Sequence, residues 1–584
     1  MVLSKYVWKI TSAGEEKVKK EQSLHTFRWI YNSAKGILFP LAIMIALCAA
    51  LSFVSVGFAL ASRSVIDTAT GQLAGSLMKS CLNVVLLIVL QLALQVIISR
   101  LEVVLSGKLE IRLKENLFCK LLRKDWQEVS RYHSGELLNR ITSDVNVIVS
   151  GVTTIAPDFV SMLVRIITSF VVLFMLAPVL SVCILALGPV IVIFGRIYSR
   201  RVKLLHKQCQ ESDGVTRSYM QEMLQNIIVV KSFGNEEKVA ERSHDLQLTN
   251  YRLKLKRNAI SILANVCLFL LFTAGYYVTL GWGAFQLSAG LLSFGTLTAM
   301  LQLVSQIQTP FRNMSGLLTK TFSMFASAER IMELEAMEQE EQDHDYSAKY
   351  PLISQLVVDK VTFAYQDTDI LCKSSLTVKK GEFVAIAGMS GIGKSTLLKL
   401  MIGLIKPDEG EIYFTCGSEK ISAGADTRSY FSYVPQGNMI LSGSIRDNIR
   451  FYRDGISDGE IERCAAIAQM KDFVDALPDG LDTVLKEGGE GLSEGQIQRI
   501  AIARALLHDA PMLLLDEATS ALDEATERAV LEQLKALTDK SCIIVSHKKA
   551  AFEVCDKVVR IENGRILEDT PYRDSSRLAE KPQR

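Results

Sequence analysis

Apolar residues are distributed unevenly along this chain. Up to about residue 315 they gather into long runs, and beyond about residue 333 they come in short stretches divided by charged and glycine-rich segments. A membrane-spanning helix needs about 20 mainly apolar residues, because it rises about 1.5 Å per residue across a core of about 30 Å. Six stretches meet that length: residues 37–61, 77–98, 155–177, 179–197, 259–280 and 291–307. Pro178 separates the third from the fourth, and proline does not continue a helix comfortably, so a tight hairpin is predicted there. The long segments after spans two and four repeat apolar residues at helical spacing over 135–148 (GELLNRITSDVNVI) and 222–236. Spans two to five are therefore expected to continue as helices well outside the membrane. The second half changes period. FVAIA at 383–387, MLLLD at 512–516 and CIIV at 542–545 read as short buried strands, and TLLKLMI at 396–402 as a helix, which predicts a water-soluble α/β unit.

Charge sets the orientation. Cytoplasmic loops retain lysine and arginine during insertion. The segment after span two carries Lys108, Arg112, Lys114, Lys120, Arg123, Lys124, Arg131 and Arg140, and the one after span four carries Arg200, Arg201, Lys203, Lys207, Arg217, Lys231 and Lys238, against Arg63 and little else opposite. Both termini, both long loops and the α/β unit are thus expected in the cytoplasm, below a multi-pass segment in the cell (plasma or inner) membrane. Composition agrees with a membrane part joined to a soluble part: 49% hydrophobic residues and a mean hydropathy of +0.22, yet 22% charged residues. A net charge of +2 argues against a nucleic-acid partner. The 11 cysteines are scattered without a CxxC and read as free thiols rather than disulfides or a zinc site. Lys17, Glu21 and Arg28 ahead of the first run argue against a cleaved signal. The expected organisation is a cytoplasmic segment at 1–36, a transmembrane domain at 37–330, an acidic linker at 331–350 and the α/β domain at 351–584, whose motifs define its ligand below.

Residues 388–395 read GMSGIGKS, a G-x-x-x-x-G-K-[ST] pattern lying between a predicted strand and a predicted helix. In that context Gly388, Ser390, Gly391 and Gly393 form a turn whose backbone N–H groups can face phosphate oxygens. Lys394 supplies charge to the outer phosphates, and Ser395, followed by Thr396, offers a hydroxyl to Mg²⁺. The strand at 512–516 ends in two carboxylates with separate tasks. Asp516 is expected to hold Mg²⁺ through water, and Glu517 to act as general base on the attacking water.

What surrounds these motifs resembles the ABC transporter superfamily, in particular exporter-type half-transporters of the type IV fold, such as bacterial lipid, multidrug and peptide exporters. YVPQ at 433–436 resembles the Q-loop, LSEGQ at 492–496 followed by IQRIAIARAL the signature motif, SALD at 520–523 the D-loop, and His547 the switch histidine. Tyr365 after strand 356–361 looks like the A-loop aromatic. HSGELLNRITSDV (133–145), EMLQNIIVVKSFGNEE (222–237) and SAERIMEL (327–334) look like recurring phrases of the exporter domain. The resemblance implies ATP and Mg²⁺ as cofactors, Tyr365 on adenine, Gln436 on Mg²⁺, His547 beside Glu517, and coupling helices near 122–129 and 225–230. It also implies that Leu492, Ser493, Glu494, Gly495 and Gln496 of one subunit, with the D-loop residues Ser520 and Asp523, meet ATP held by another. The chain is accordingly expected to be an ATPase and translocase that works as a dimer, either of two copies or with a different half-transporter.

One departure stands out. Glu494 occupies a signature position where the family usually has glycine, and a carboxylate near a phosphate site is unfavourable, so slower turnover is expected. Glu487 in the preceding KEGGEG stretch is the candidate for the family's loop glutamate. For the cargo, a small amphiphile, the candidates are Asp158 and Arg165 in the third span and Tyr276 and Tyr277 in the fifth, with Trp282, Gln302, Gln306 and Gln308 nearby. An intramembrane arginine costs about 2.5–3.5 kcal/mol on insertion scales, which calls for a wet cavity or a charged partner. An importer of a metal chelate on the same fold, or an ATP-gated regulator, are the alternatives. A leader-trimming peptidase is not expected, because residues 1–36 contain no cysteine.

Overall fold

A computed structural model of the protein describes residues 24–340, 353–366, 368–437 and 440–569, apart from the side chains of residues 183–203, 312, 314, 315, 318, 487 and 569. The expected N-terminal segment before residue 24, the linker beyond residue 340 and the Glu487 side chain lie outside the described residues. The chain divides into two compact units, one formed by residues 1–120 and 134–336, the other by 121–133 and 337–584.

The first unit is helical. Its elements, together with the short helix interposed from the other unit, are α1 (Leu38–Ala69), α2 (Leu77–Leu121), α3 (Trp126–Val129), α4 (Ser134–Asn139), α5 (Val145–Leu176), α6 (Pro178–Gln225), α7 (Ile227–Ser232), α8 (Glu236–Ser288) and α9 (Phe294–Ala336). Among the described residues four helices are long and apolar enough to cross a membrane: Leu24–Ala69, Leu77–Leu121, Ser134–Leu176 and Glu236–Ser288. The other two expected runs fall in α6, largely outside the described side chains, and in α9, where Gln302, Gln306 and Gln308 dilute the run. Pro178 is the first residue of α6, as its missing N–H permits, and Ala177 alone separates α5 from α6. Helix α9 continues past the expected start of the linker to Ala336, because Ala328, Ile331 and Leu334 keep one face buried.

Helices α1, α5 and α9 share a core of Val56, Ala59, Leu173, Met300, Leu303 and Val304. Close approach is set at Gly151, where a Cβ would lie 2.5 Å from Met324 Sδ. Two of the phrases singled out in the sequence prove to be one contact. A π-helical turn at Arg140–Asp144 buries Asp144 against Ser327 Oγ (2.9 Å) and Arg330 Nε (2.9 Å), while Arg140 Nη1 donates to the Arg330 carbonyl at 2.9 Å. At the other end of the unit Asp67 accepts from the Gly295 N–H (3.0 Å) and Ser293 Oγ (2.9 Å), capping α9.

The second unit is α/β. Strands β1 (Ile353–Tyr365), β2 (Thr368–Lys379), β4 (Glu409–Cys416) and β5 (Glu419–Ser422) form an antiparallel sheet in the order β2-β1-β4-β5. A six-stranded sheet holds β3 (Phe383–Ala387), β6 (Phe431–Val434), β7 (Met512–Asp516), β8 (Ser541–Val545), β9 (Lys557–Glu562) and β10 (Arg565–Asp569), in the order β10-β9-β3-β8-β7-β6. All neighbours in it are parallel except β9 and β10. Strands β7 and β8 are buried at every position, as parallel strands covered on both faces must be. The helices used below are α10 (Lys394–Met401), α11 (Glu494–His508) and α12 (Glu524–Lys535). Residues 121–133, although they follow α2 in the chain, belong to this unit by contact: Trp126 packs against the core that holds Leu397 and Leu398, and Lys399 Nζ lies 5.1 Å from its ring centroid.

Candidate functional site

The carboxyl ends of parallel strands in an open α/β sheet are where ligands bind, and the candidate residues collect there. Strand β3 runs out at Ala387 into a loop that needs glycine, with φ of 149° at Gly388, 79° at Gly391 and 107° at Gly393. At Gly393 a Cβ would also meet Ile370 Cγ2 at 2.5 Å. Ser390 is exposed on this loop, and Lys394, Ser395 and Thr396 open helix α10, so its free N–H groups and positive dipole end face the loop.

The buried Lys394 ammonium curls back over the loop, donating to the carbonyls of Gly388 (2.8 Å) and Met389 (3.0 Å) and to His547 Nε2 (3.0 Å). An ammonium has donors only, so the imidazole nitrogen accepts in that pair. Burial pushes the Lys394 pKa below the ordinary lysine value, against the pull of Glu517 and Asp516. At the end of β7, Asp516 is 1% exposed and accepts from Ser395 Oγ at 3.0 Å. Burial raises its pKa, the Glu517 charge adds to the rise, and the Ser395 hydrogen bond opposes it. Glu517 follows with φ of 54°, a left-handed backbone costly for a residue with a Cβ and typical of functional sites. Its N–H is fixed to the Val545 carbonyl (3.1 Å), its Oε2 accepts from Gln436 Nε2 (2.8 Å), and its Oε1 lies 3.7 Å from His547 Nε2. Lys394, Ser395, Gln436, Asp516, Glu517 and His547, drawn from separate stretches of the chain, therefore form one cluster. Tyr365 stands at the end of β1, 39% exposed and edge-on to Phe363.

The signature residues are engaged elsewhere. Ser493 caps α11: its hydroxyl accepts from the Gln496 N–H (3.3 Å), and Gln496 Oε1 accepts from the Ser493 N–H (2.8 Å). Glu494 is exposed in the first turn of that helix, and Leu492 is partly buried. Gly495 has no room for a side chain, since a Cβ would sit 2.9 Å from the Ala521 carbonyl oxygen. Ser520 accepts from Gln498 Nε2 at 2.9 Å, and Asp523 caps α12 through the Thr526 N–H at 2.9 Å.

Four side chains with no expected role belong to these arrangements. Tyr433 donates to Asp516 Oδ2 at 3.4 Å, and burial raises its pKa. Gln498, through Ser520 and the Ala521 N–H (3.0 Å), ties the signature helix to the D-loop, and Lys548 Nζ reaches the Thr519 carbonyl at 3.0 Å. Only Tyr433 carried a signal, as the first residue of YVPQ. In the helical unit a cavity of about 580 Å³ is lined by Asp158, Arg165, Thr309 and Asn313 together with Lys320, the fourth unexpected residue. Tyr276 and Tyr277, edge-on to each other at 5.7 Å, do not line it. Gln306 and Gln308 instead tie helices together, donating to the Ser55 and Phe272 carbonyls at 2.9 and 3.0 Å.

Comparison with known proteins agrees with both units. Residues 41–311 match the ABC transporter transmembrane region, and residues 371–520 match the ABC transporter family. A probable ABC transporter ATP-binding/permease protein of Haemophilus influenzae is 30% identical over 79% of this chain and 84% of its own length. The ATP-dependent lipid A-core flippase of the same organism is 31% identical over 79% of this chain and 80% of its own. A bacterial Atm1-family ABC exporter solved with ATP bound superposes with a TM-score of 0.75 at 24% identity, covering 91% of this chain and 94% of that one, and so shares the fold. A loop of three left-handed glycines before a helix, the two carboxylates that close β7 and the exporter helices upstream thus all point the same way: the chain belongs to the ABC transporters, as a membrane-embedded exporter half-transporter that couples ATP hydrolysis to transport.

Proposed function

We propose that two copies of this chain close on ATP and export a lipid-like amphiphile whose headgroup is anionic. The observation that carries the substrate class is the charged cavity between α5 and α9. Asp158 and Arg165 on α5 and Lys320 on α9 line it, two cations to one anion, and Arg165 Nε is buried without a hydrogen-bond partner among the described residues. A buried donor left unpaired costs about 1–3 kcal/mol, a deficit that an acceptor on the cargo removes. A volume of about 580 Å³ lies within the usual range for small-molecule sites and suits a headgroup rather than a whole lipid. Relatives of about 30% identity named as lipid A-core flippases support a lipid-like cargo.

The ATP cluster supports a division of labour. Tyr365 receives adenine, the loop N–H groups of residues 388–393 and Lys394 receive the phosphates, and Glu517 takes the proton of the attacking water with His547 beside it. Ser395, Asp516 and Gln436 offer only hard oxygen donors, the set that suits Mg²⁺, which when bound would neutralise charge on the outer phosphates. Before nucleotide arrives, the Lys394 donors are held by Gly388, Met389 and His547, and the Gln436 amide holds Glu517. Phosphates compete for the first set, and release of the Gln436 amide from Glu517 frees the base. Ser493 and Gly495 of one copy then approach the γ-phosphate held by Lys394 of the other, which makes ATP part of the interface. The loops that hold the lysine and arginine excess lie in the cytoplasm with the ATPase unit.

The test is ATPase activity of the purified chain in lipid nanodiscs, titrated with an anionic phosphoglycolipid and with a zwitterionic phospholipid. Stimulation by the anionic lipid, lost in Arg165→Ala and in Lys320→Ala while basal turnover persists, is the expected result. Equal stimulation by both lipids, or an unaltered response in Arg165→Ala, refutes the headgroup reading.

A further inference from the structure

Helix α10 begins at the phosphate loop with Lys394, and what holds its other end has no part in the functions above. The last carbonyls of a helix lack intrahelical partners. Here the carbonyls of Leu398, Lys399 and Leu400 accept from the N–H groups of Ile402, Leu404 and Gly403, and the two carbonyls just past the helix are held by the Arg428 guanidinium, which donates from Nε to Ile402 at 3.2 Å and from Nη2 to Gly403 at 2.8 Å. The same planar group reaches Glu340 with both terminal nitrogens, Nη2 to Oε1 at 2.9 Å and Nη1 to Oε2. Its side chain is 27% exposed and that of Glu340 14%, so water screens the pair only partly. A cation at the negative end of a helix, with a fork matched to a carboxylate, is a task for arginine that lysine cannot duplicate.

Glu340 is not an isolated anchor. It lies four residues beyond the end of α9, and the segment it ends is paired with the segment that follows α2. The Glu340 N–H donates to the Arg123 carbonyl (2.9 Å), Gln339 bridges Lys124, and the Asp125 N–H donates to the Glu338 carbonyl (3.0 Å). Glu128 Oε2 accepts from the Glu338 N–H at 2.8 Å, and Trp126 rests on Lys399 in the middle of α10. Arg428 also stands three residues before β6, the strand whose end leads to Gln436. One guanidinium thus joins the trailing end of the phosphate-binding helix, the approach to the Q-loop and the paired stretches through which α2 and α9 enter the ATPase unit.

We propose that Arg428 and Glu340 are positioning residues that transmit nucleotide-dependent movement of α10 to the membrane helices. They touch neither phosphate nor cargo. They set the path along which tightening at Lys394 displaces the 338–340 segment and, through covalent continuity, α9. Without the ion pair the ATP site still assembles, because its hydrogen bonds are made by other residues, but its closure no longer moves the helices in step.

The experiment uses the full-length protein in nanodiscs with Mg-ATP and vanadate, reading trapped nucleotide and, in the same samples, the change in hydrogen–deuterium exchange of peptides from Phe294–Ala336. In the unmodified protein, trapping alters exchange in those peptides. Glu340→Gln is expected to keep the KM for ATP within about twofold and to trap nucleotide, while the exchange response falls by half or more. Glu340→Asp, which keeps the fork, recovers part of the response, and Arg428→Lys, which keeps the charge but not the fork, does not. Arg428→Lys also serves as the independent variant should Glu340→Gln fail to fold. A full exchange response in Glu340→Gln overturns the proposal. So does a loss of trapping in step with the response, since the pair would then merely support the ATP site.

Discussion

At the scale of single residues, the adjacent carboxylates 516 and 517 are separated by environment. Asp516 is buried under Ser395 and Tyr433, whereas Glu517 reaches between Gln436 and His547. A general base contributes about 10²–10⁴ in rate. Glu517→Gln is therefore expected to lower ATP turnover at least about 100-fold while nucleotide stays bound, measured by steady-state phosphate release and filter binding. Unchanged turnover would remove Glu517 from that role. Asp516 makes a prediction of the opposite kind. Its folded-state pKa is raised by burial, so its contribution to stability is fully present below the unfolded pKa and is lost as pH rises through the folded value. At pH 7–8 the nucleotide-free protein thus carries a strained charge. Asp516→Asn should stabilise it by about 1 kcal/mol, the scale of relieving a functional compromise, with the gain shrinking toward pH 4 and ATP hydrolysis lost. Thermal melting across that pH range checks the sign.

At the scale of elements, helix α11 shows how one feature serves stability and works against chemistry. Glu494 lies in its first turn, where a carboxylate stabilises a helix by about 0.3–1 kcal/mol through the dipole. The same N-terminus is the one proposed to face a partner's γ-phosphate, and there the charge repels. Glu494→Gly should raise ATP turnover several-fold or lower the KM for ATP, at a small cost in melting temperature. Turnover that stays level or falls would show that Glu494 points away from nucleotide. The neighbouring Gly495 is constrained by packing, since the Ala521 carbonyl occupies the place of a Cβ. Gly495→Ala should therefore displace the D-loop and depress ATPase activity by about tenfold or more, even though alanine is the better helix former.

At the scale of the molecule, the surface that one chain leaves uncovered is informative. Around α7 the side chains of Leu224, Ile227, Ile228 and Phe233 are 50–78% exposed. Helix α2 has an apolar 18-residue window of which none is buried within the chain. Lipid accounts for the second. The first lies in a segment rich in lysine and arginine, and exposed apolar surface there calls for a protein partner. If that partner is the second copy, Ile228→Asp should abolish ATP-induced closure and reduce turnover by about tenfold with the isolated fold intact. Cross-linking between copies with and without nucleotide reads this directly.

Much of the ATP cluster is legible in the amino-acid sequence because its motifs are local. The glycine loop needs a strand ahead of it and a helix after it within about 15 residues, and two carboxylates closing an apolar run announce themselves. The Pro178 hairpin and the helical loops follow from the same short-range rules. Other features emerge only from tertiary packing because they join positions far apart: Lys320 with Arg165, Gln498 with Ser520, and Arg428 with Glu340, 88 residues distant. The transfer of residues 121–133 to the ATPase unit is of this kind, since Trp126 is simply an aromatic residue until Lys399 and the core beneath it are known. Periodicity and turn chemistry act through backbone geometry over a few residues, so the sequence by itself determined the elements and the contiguous motifs. Which side chains meet across the fold depends on the packing of whole helices and sheets, and only the tertiary structure decided that.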